Sequence, residues 1–468
     1  LINEIVAFIN NILWGNGQIL IYMLLAAGIW FSVKLGFIQI RHFGHMFSVM
    51  KGSNKSDKAG ISSFQALCTS LSARVGTGNL AGVAVAISLG GSGAIFWMWV
   101  IAILGMATGF AESVLGQLYK VKDANGEFRG GPAYYIQQGL NKRWLAIIFS
   151  LFLFLGYGFI FSAVQANTIT DALNHAYAIP TLYSGLVIII LAGLIVIGGL
   201  RAIAKFAEWV VPFMAITYVL VTLAITVINI DLVPAMLWDI LSSAFGLQEA
   251  GAGAIGAAFK HGVQRGLYSN EAGSGSVPHA AASASPNPDH PVSQGYVQML
   301  GVFIDTMILC TCSAIVILLA GGASGEGMEG IRLTQNAMST HLGAGGGDFV
   351  AAAISLFAFT SVVANYAYGE SNLHMFKLDN KIGRTAYTAG YLLMILWGSM
   401  AALPEVWAAA DMALGLMTVI NITAIVWMTP TIVSISKDYF KKRESGEEIT
   451  YKSGDCEIQG KSEKGIWD

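Results

Sequence analysis

Two apolar runs, Leu186–Leu200 and Phe206–Ile230, follow each other across a short polar interval. Runs this long and this closely spaced have no place in a soluble core. A helix that is hydrophobic all round belongs in a bilayer, where about 20 apolar residues span the hydrocarbon. The rest of the chain agrees: 55% of residues are hydrophobic and 12% charged, against roughly 25% charged in soluble domains. The mean hydropathy is +0.61. The expected fold is an all-α integral membrane protein. The 468 residues hold about eleven spans with short loops.

Polar clusters divide the chain into candidate spans at 17–40, 62–89, 93–119, 144–174, 180–199, 206–230, 251–279, 294–321, 348–374, 385–403 and 409–435. The start, Leu1–Trp14, is mildly amphipathic and lacks the basic stretch of a cleavable signal, so the first span is expected to direct insertion. Val233–Leu247 reads as an amphipathic surface helix. The Gly-rich stretch Gly321–Gly347 carries a short helical segment near Ile331–His341. The charged tail beyond Lys437 reads as disordered. With the loop Arg41–Lys58 inside, strict alternation places 22 of the 26 Lys and Arg residues on the cytoplasmic side. The N-terminus is then outside, the C-terminus cytoplasmic, and the address a cell membrane.

Two spans do not read as ordinary membrane helices. One contains Gly76-Thr77-Gly78-Asn79-Leu80-Ala81-Gly82, the other the run Arg265–Ser276 with Tyr268, Ser269, Asn270, Glu271, Gly273 and Ser274. Clustered glycine costs about 1 kcal/mol per residue in a helix interior. Unwound backbone at membrane depth is tolerated only where protein buries it or a cavity needs it. The alternative is a small-residue packing face, since Gly78 and Gly82 have the Gly-xxx-Gly spacing. The two breaks open spans 2 and 7, each the first of five. Five being odd, the second set enters from the opposite side, which describes two inverted five-helix repeats plus one extra N-terminal helix. The organisation is then residues 1–60 for the extra span and its cytoplasmic loop, 61–230 and 231–436 for the repeats, and 437–468 for the cytoplasmic tail. Interrupted helices at matching positions point to a midplane site.

Free N–H groups at one break suit a carboxylate, and free carbonyls at the other suit a cation or ammonium. A zwitterion fits both. The backbone of Gly76, Thr77 and Gly78 is assigned to a carboxylate. The carbonyls around Tyr268, Ser269 and Gly273, with Ser274 beside them, are assigned to an amino group. Ser162, Gln165 and Thr168 share a helix face, as do Thr360, Ser361 and Asn365. Gln165 and Asn365 are candidates for substrate contact, with helix–helix hydrogen bonding as the alternative. For Thr360 and Ser361 the alternative is bonding back to their own helix. Asp305 is an intramembrane carboxylate and a functional candidate by default. Its alternative is a structural ion pair with Arg74 or Arg265. Glu112 and Glu208 read as structural, as do His261 and His279. Phe161, Met299 and Phe357 are candidate bulky neighbours of the site.

Other classes lack their signatures. A net charge of −2 gives no case for nucleic acid. Cys68, Cys310, Cys312 and Cys456 show no metal or redox spacing. No metal-ligand motif, Ser/His pairing or phosphate loop suggests an enzyme. No filter loop or charged ring suggests a channel.

The two break motifs, with Gly93-Ala94-Ile95-Phe96-Trp97-Met98-Trp99 and Gly130-Gly131-Pro132-Ala133-Tyr134-Tyr135, resemble the alanine or glycine:cation symporter family over nearly the whole chain to about residue 440. The resemblance implies a leucine-transporter-type fold and uptake of alanine or glycine coupled to sodium, sometimes to protons. It implies a sodium ion held by the carbonyls of Ser72, Val75 and Phe357 and the hydroxyls of Thr360 and Ser361. A second ion site would use Asn79 and Asp305. The partners expected are therefore a small neutral amino acid, Na+ and membrane lipid, with the protein acting as a monomer by alternating access.

Overall fold

The computed structural model describes residues 2–15, 18–53, 59–247, 252–322 and 330–468. Expectations that fall on Leu1, Gly17, Lys55, Lys58, Gly251 and on 323–329 within the Gly-rich stretch lie outside the described residues.

Six described helices are long and apolar enough to cross a bilayer: Gly93–Leu118, Arg143–Tyr177, Gly199–Ile228, Pro291–Leu319, Gly345–Phe376 and Leu403–Trp427. Ile19–Lys34, Gly78–Gly90 and Thr181–Val196 are shorter and apolar. The strands described form one hairpin, Val121–Lys122 against Phe128–Arg129. Leu194, Trp209, Phe213, Leu220 and Val227 stand exposed along Thr181–Val196 and Gly199–Ile228. In water this apolar face would be an aggregation patch; hydrocarbon is the solvent it matches.

The interior is packed through small residues. A Cβ on Gly262 would lie 2.4 Å from the Ala94 carbonyl oxygen, and one on Gly266 2.4 Å from Ile101. Glycine there lets Ala252–Asn270 lie directly against Gly93–Leu118.

Both expected breaks are present as interruptions. Ser63–Arg74 stops, Val75 and Gly76 leave helical geometry, and a π-helical turn, Gly78–Gly82, leads into Val83–Gly90. Ala252–Asn270 stops, and Val277–Ala282 resumes after six unwound residues. The second break begins later than its motif: Arg265–Asn270 is still helix. Two further π-helical segments, Gly156–Ile160 and Phe303–Cys310, interrupt Arg143–Tyr177 and Pro291–Leu319. Such segments often mark functional sites.

Three expectations are corrected. Span 1 ends at Lys34, because Gly36 and Phe37 turn left-handed. The last span is Leu403–Trp427, and Pro430 near the start of Thr429–Ser445 makes that a separate helix. The tail is ordered. Tyr451 and Trp467 are each 3% exposed. Trp467 Nε1 donates to the Leu118 carbonyl at 3.2 Å, and Tyr119 donates to the Gln459 carbonyl. Its charged residues conceal two aromatic anchors. Beside it, burial pushes the His290 imidazole down to about 4, so its 3.1 Å contact with Asp438 is a neutral hydrogen bond near pH 7.

The surface helix is Val233–Ala244, with Leu237, Trp238 and Leu241 exposed. Ile331–Leu342 packs onto the bundle through Thr334, which donates to the Leu80 carbonyl at 3.0 Å, and Gln335, which donates to Ala172 at 3.2 Å.

Candidate functional site

A reciprocal capping box at Ser62 and Gln65 starts Ser63–Arg74 and sets its direction towards the centre. Where the helix stops, side chains satisfy the backbone. The Gly76 N–H donates to Asn79 Oδ1 at 3.0 Å. The Thr77 N–H and hydroxyl donate to Gln165 Oε1 at 2.9 and 2.7 Å. Two N–H groups assigned to a carboxylate are thus engaged inside the protein, because buried donors must find partners. A Cβ on Gly76 would lie 2.4 Å from Ser361 Oγ, so only glycine fits. One on Gly78 would lie 3.1 Å from Ser269 Cα, where the two broken helices touch.

Beside the first break, five oxygens cluster. Thr360 Oγ1 lies 2.8 Å from the Phe357 carbonyl and 3.5 Å from that of Ser72. Ser361 Oγ lies 3.2 Å from the Phe357 carbonyl and 3.4 Å from that of Val75. The Ser72 hydroxyl donates to the Thr360 carbonyl at 2.9 Å. Back-bonding of both hydroxyls therefore coexists with contact across to Ser63–Arg74. Ser72, Val75, Phe357, Thr360 and Ser361 are all buried. A donor set of neutral hydroxyls and carbonyls suits a hard monovalent cation.

Asp305 lies in the π-helical segment Phe303–Cys310 and is buried. Its oxygens accept from Asn79 Nδ2 at 2.8 Å, Ser269 Oγ at 2.6 Å and Thr306 Oγ1 at 2.8 Å. Asn79 presents its nitrogen here, not its oxygen. Neither cation named as its ion-pair partner is in contact. Arg265 instead grips Asp411 at 2.8 and 3.1 Å, and Arg74 reaches Gln298 at 3.4 Å.

Between the breaks lies a narrow cavity with about 300 Å³ of empty space, little of it wide enough for water. Gly78, Gln165, Tyr268 and Asn365, all named from sequence, line it, with Phe161. The Asn365 Oδ1 and Tyr268 hydroxyl are buried without a hydrogen-bond partner. Asn79 and Ser269 stand behind the cavity, facing Asp305. Gly273 and Ser274 are not brought to it: the Gly273 N–H donates to Glu112 Oε1 at 3.0 Å, and the Ser274 hydroxyl to the Glu271 carbonyl at 2.7 Å. Met299 and Phe357 do not line it either. Sequence reasoning missed Arg74, Tyr157, Glu271 and Leu414 in the lining. Intramembrane charge was the available signal for Arg74 and Glu271.

Tyr268 also belongs to a tightly packed aromatic and charged cluster. Arg265 lies 4.5 Å over the Trp407 ring, and the Trp407 and Tyr268 rings are 4.8 Å apart. Gln264 adds a third donor to Asp411 at 2.9 Å. Beyond Glu271, Glu112 accepts from the Gly273 N–H and, at 2.7 Å, from Asn421. His279 is structural, with Nδ1 3.0 Å from the Ser276 carbonyl and Nε2 3.2 Å from Asn372.

A membrane-embedded helical bundle with interrupted helices around a closed polar centre defines a solute carrier. The chain belongs to the sodium:alanine symporter family, whose model matches residues 1–453. It is a multi-pass membrane protein, a sodium-coupled amino-acid symporter and not an enzyme. It is 46% identical over 445 residues to the uncharacterized transporter YaaJ of Escherichia coli, covering 94% of this chain and 93% of YaaJ. It is 42% identical over 451 residues to the amino-acid carrier protein AlsT of Bacillus subtilis, covering 96% and 95%. It is 37% identical over 452 residues to the sodium/alanine symporter AgcS of Methanococcus maripaludis, covering 94% and 98%.

Proposed function

We propose that this protein takes up alanine or glycine with sodium by alternating access, as a monomer in the cell membrane. The fold reading is leucine-transporter-type: about eleven transmembrane helices, of which one is extra and ten form two inverted five-helix repeats, with the N-terminus outside and the C-terminus cytoplasmic. The observation that carries the proposal is the five-oxygen cluster of Ser72, Val75, Phe357, Thr360 and Ser361 beside the first break. A sodium ion there would pin the broken helix against Gly345–Leu373. The cavity lined by Gly78, Gln165, Tyr268 and Asn365 is then the place for the amino acid, and it has to widen to admit one. The Arg265–Asp411–Trp407 closure is the outer gate in this reading. A second reading, proton coupling, has one observation in its favour: Asp305 is a buried carboxylate held by neutral donors. The test is alanine uptake into proteoliposomes under an inward sodium gradient, followed by counterflow. Sodium-driven accumulation and alanine-for-alanine exchange support the proposal. Uptake driven by a proton gradient without sodium favours the second reading, and flux without exchange would mean a channel.

A further inference from the structure

Two oppositely charged side chains, Arg74 and Glu271, border the central cavity, and among the described residues neither is held in a direct ion pair. Arg74 is 2% exposed and lies at the first break. Its Nε has no hydrogen-bond partner. Its terminal nitrogens reach only the carbonyl and side-chain oxygen of Gln298, both at 3.4 Å, where a good N–H···O bond is about 2.9 Å. Among the described residues no carboxylate is within ion-pairing reach of it. Glu271 opens the second break in the left-handed region, at φ 57°. It is 6% exposed. Among the described residues its Oε2 accepts from the Ser276 hydroxyl at 2.7 Å, and the Tyr157 hydroxyl lies beside it, both of them neutral partners. Other buried carboxylates near the breaks are committed elsewhere: Asp411 to Arg265, Glu112 to Gly273 and Asn421, and Asp305 to Asn79, Ser269 and Thr306. An intramembrane charge without a counter-ion is costly and marks a function by default.

We propose that Arg74 and Glu271 are the two charged poles that bind the amino-acid zwitterion, Arg74 its carboxylate and Glu271 its ammonium. This rests on the reading of the cavity as the amino-acid site. The first break supports the assignment by what it withholds. Its Gly76 and Thr77 N–H groups are held by Asn79 and Gln165, so a carboxylate arriving there needs another donor. The free Nε of Arg74 and the neighbouring terminal nitrogen form the fork that takes a carboxylate through two parallel bonds. The ammonium needs an acceptor, and the unpartnered Asn365 Oδ1 stands on the same cavity as Glu271. The charges come from the two broken helices, so one bound zwitterion ties both together. Removing either of its charged groups leaves a buried charge unpaired, which a site of this kind rejects strongly.

The experiment measures competition against labelled alanine in proteoliposomes, using alanine, alaninamide (no carboxylate) and propionate (no ammonium). The wild type should prefer alanine over either analogue by about 100-fold or more. Arg74→Gln should weaken alanine by about 100-fold and collapse its preference over alaninamide to a few fold, leaving the preference over propionate. Glu271→Gln should do the reverse. Arg74→Lys and Glu271→Asp should recover part of each preference, and they decide the matter if the neutral variants lose their sodium-dependent thermal shift and so have not folded. Unchanged preferences in folded variants, or equal loss of both preferences in each, would overturn the proposal. A wild type that neither takes up alanine nor binds it in sodium would instead overturn the reading of the cavity, whatever the variants do.

Discussion

The two breaks occupy matching places in the chain and differ in almost every physical respect. The first is short. Val75 and Gly76 leave the helix, no residue takes a positive φ, and neutral amides of Asn79 and Gln165 satisfy the exposed N–H groups. The second runs from Glu271 to Ser276 and places Glu271, Gly273 and Gly275 in the left-handed region. A carboxylate, Glu112, and the Asn421 amide hold its backbone. Glycine therefore serves two purposes. At Gly76 it makes room for Ser361 and Gln165; at Gly273 it permits φ 92°. The first break is a seam between helices, suited to an ion. The second is a rigid turn fixed from outside, suited to holding Glu271 in place.

Substitutions at three positions and one deletion test these differences. The largest effect is expected from Glu112→Leu, which strands the Gly273 N–H and one N–H of the Asn421 amide. The loss should be about 4 kcal/mol, at 1–3 kcal/mol per buried donor, read as a fall in melting temperature in detergent. A variant as stable as wild type would mean that the second break holds itself. Gly76→Ala comes next: overpacking costs about 1–3 kcal/mol, and Ser361 must move. Sodium-driven uptake should fall below detection, and normal uptake would contradict the seam. Gly273 separates the two uses of glycine. Gly273→Asn should cost less than Gly273→Ala, by up to about 1 kcal/mol, because asparagine tolerates the left-handed region. At Gly76 the order should reverse, since space is the limit there. Equal ranking at both positions would erase the distinction. The smallest effect belongs to deletion of residues 446–468. It removes Tyr451 and Trp467 from their sites and should lower the melting temperature by a few degrees while uptake persists. Abolished uptake would tie the tail to transport.

Much of this was legible in the sequence. Apolar runs located the long helices, because bilayer thickness sets their length. Clustered Gly, Ser and Asn located both interruptions, since several helix-weakening residues together inside an apolar span are hard to reconcile with a continuous helix. What stayed hidden depends on distant partners. Glu112 looked like an end-of-helix charge; that it holds Gly273 is a contact across 161 residues. Arg265 could have paired with Asp305, and only packing shows that Asp411 takes it. The π-helical segment that carries Asp305 leaves no pattern in composition. The tail looked disordered because charge dominates it, while two aromatic residues decide how it packs.

The central claim is that Thr360 and Ser361 face Ser72 and Val75 to hold sodium. Its most direct test is the sodium dependence of alanine uptake in proteoliposomes for the double variant Thr360→Ala/Ser361→Ala, with thermal stability checked alongside. A folded protein whose residual uptake no longer responds to sodium is expected. A sodium curve superimposable on that of the wild type would contradict it.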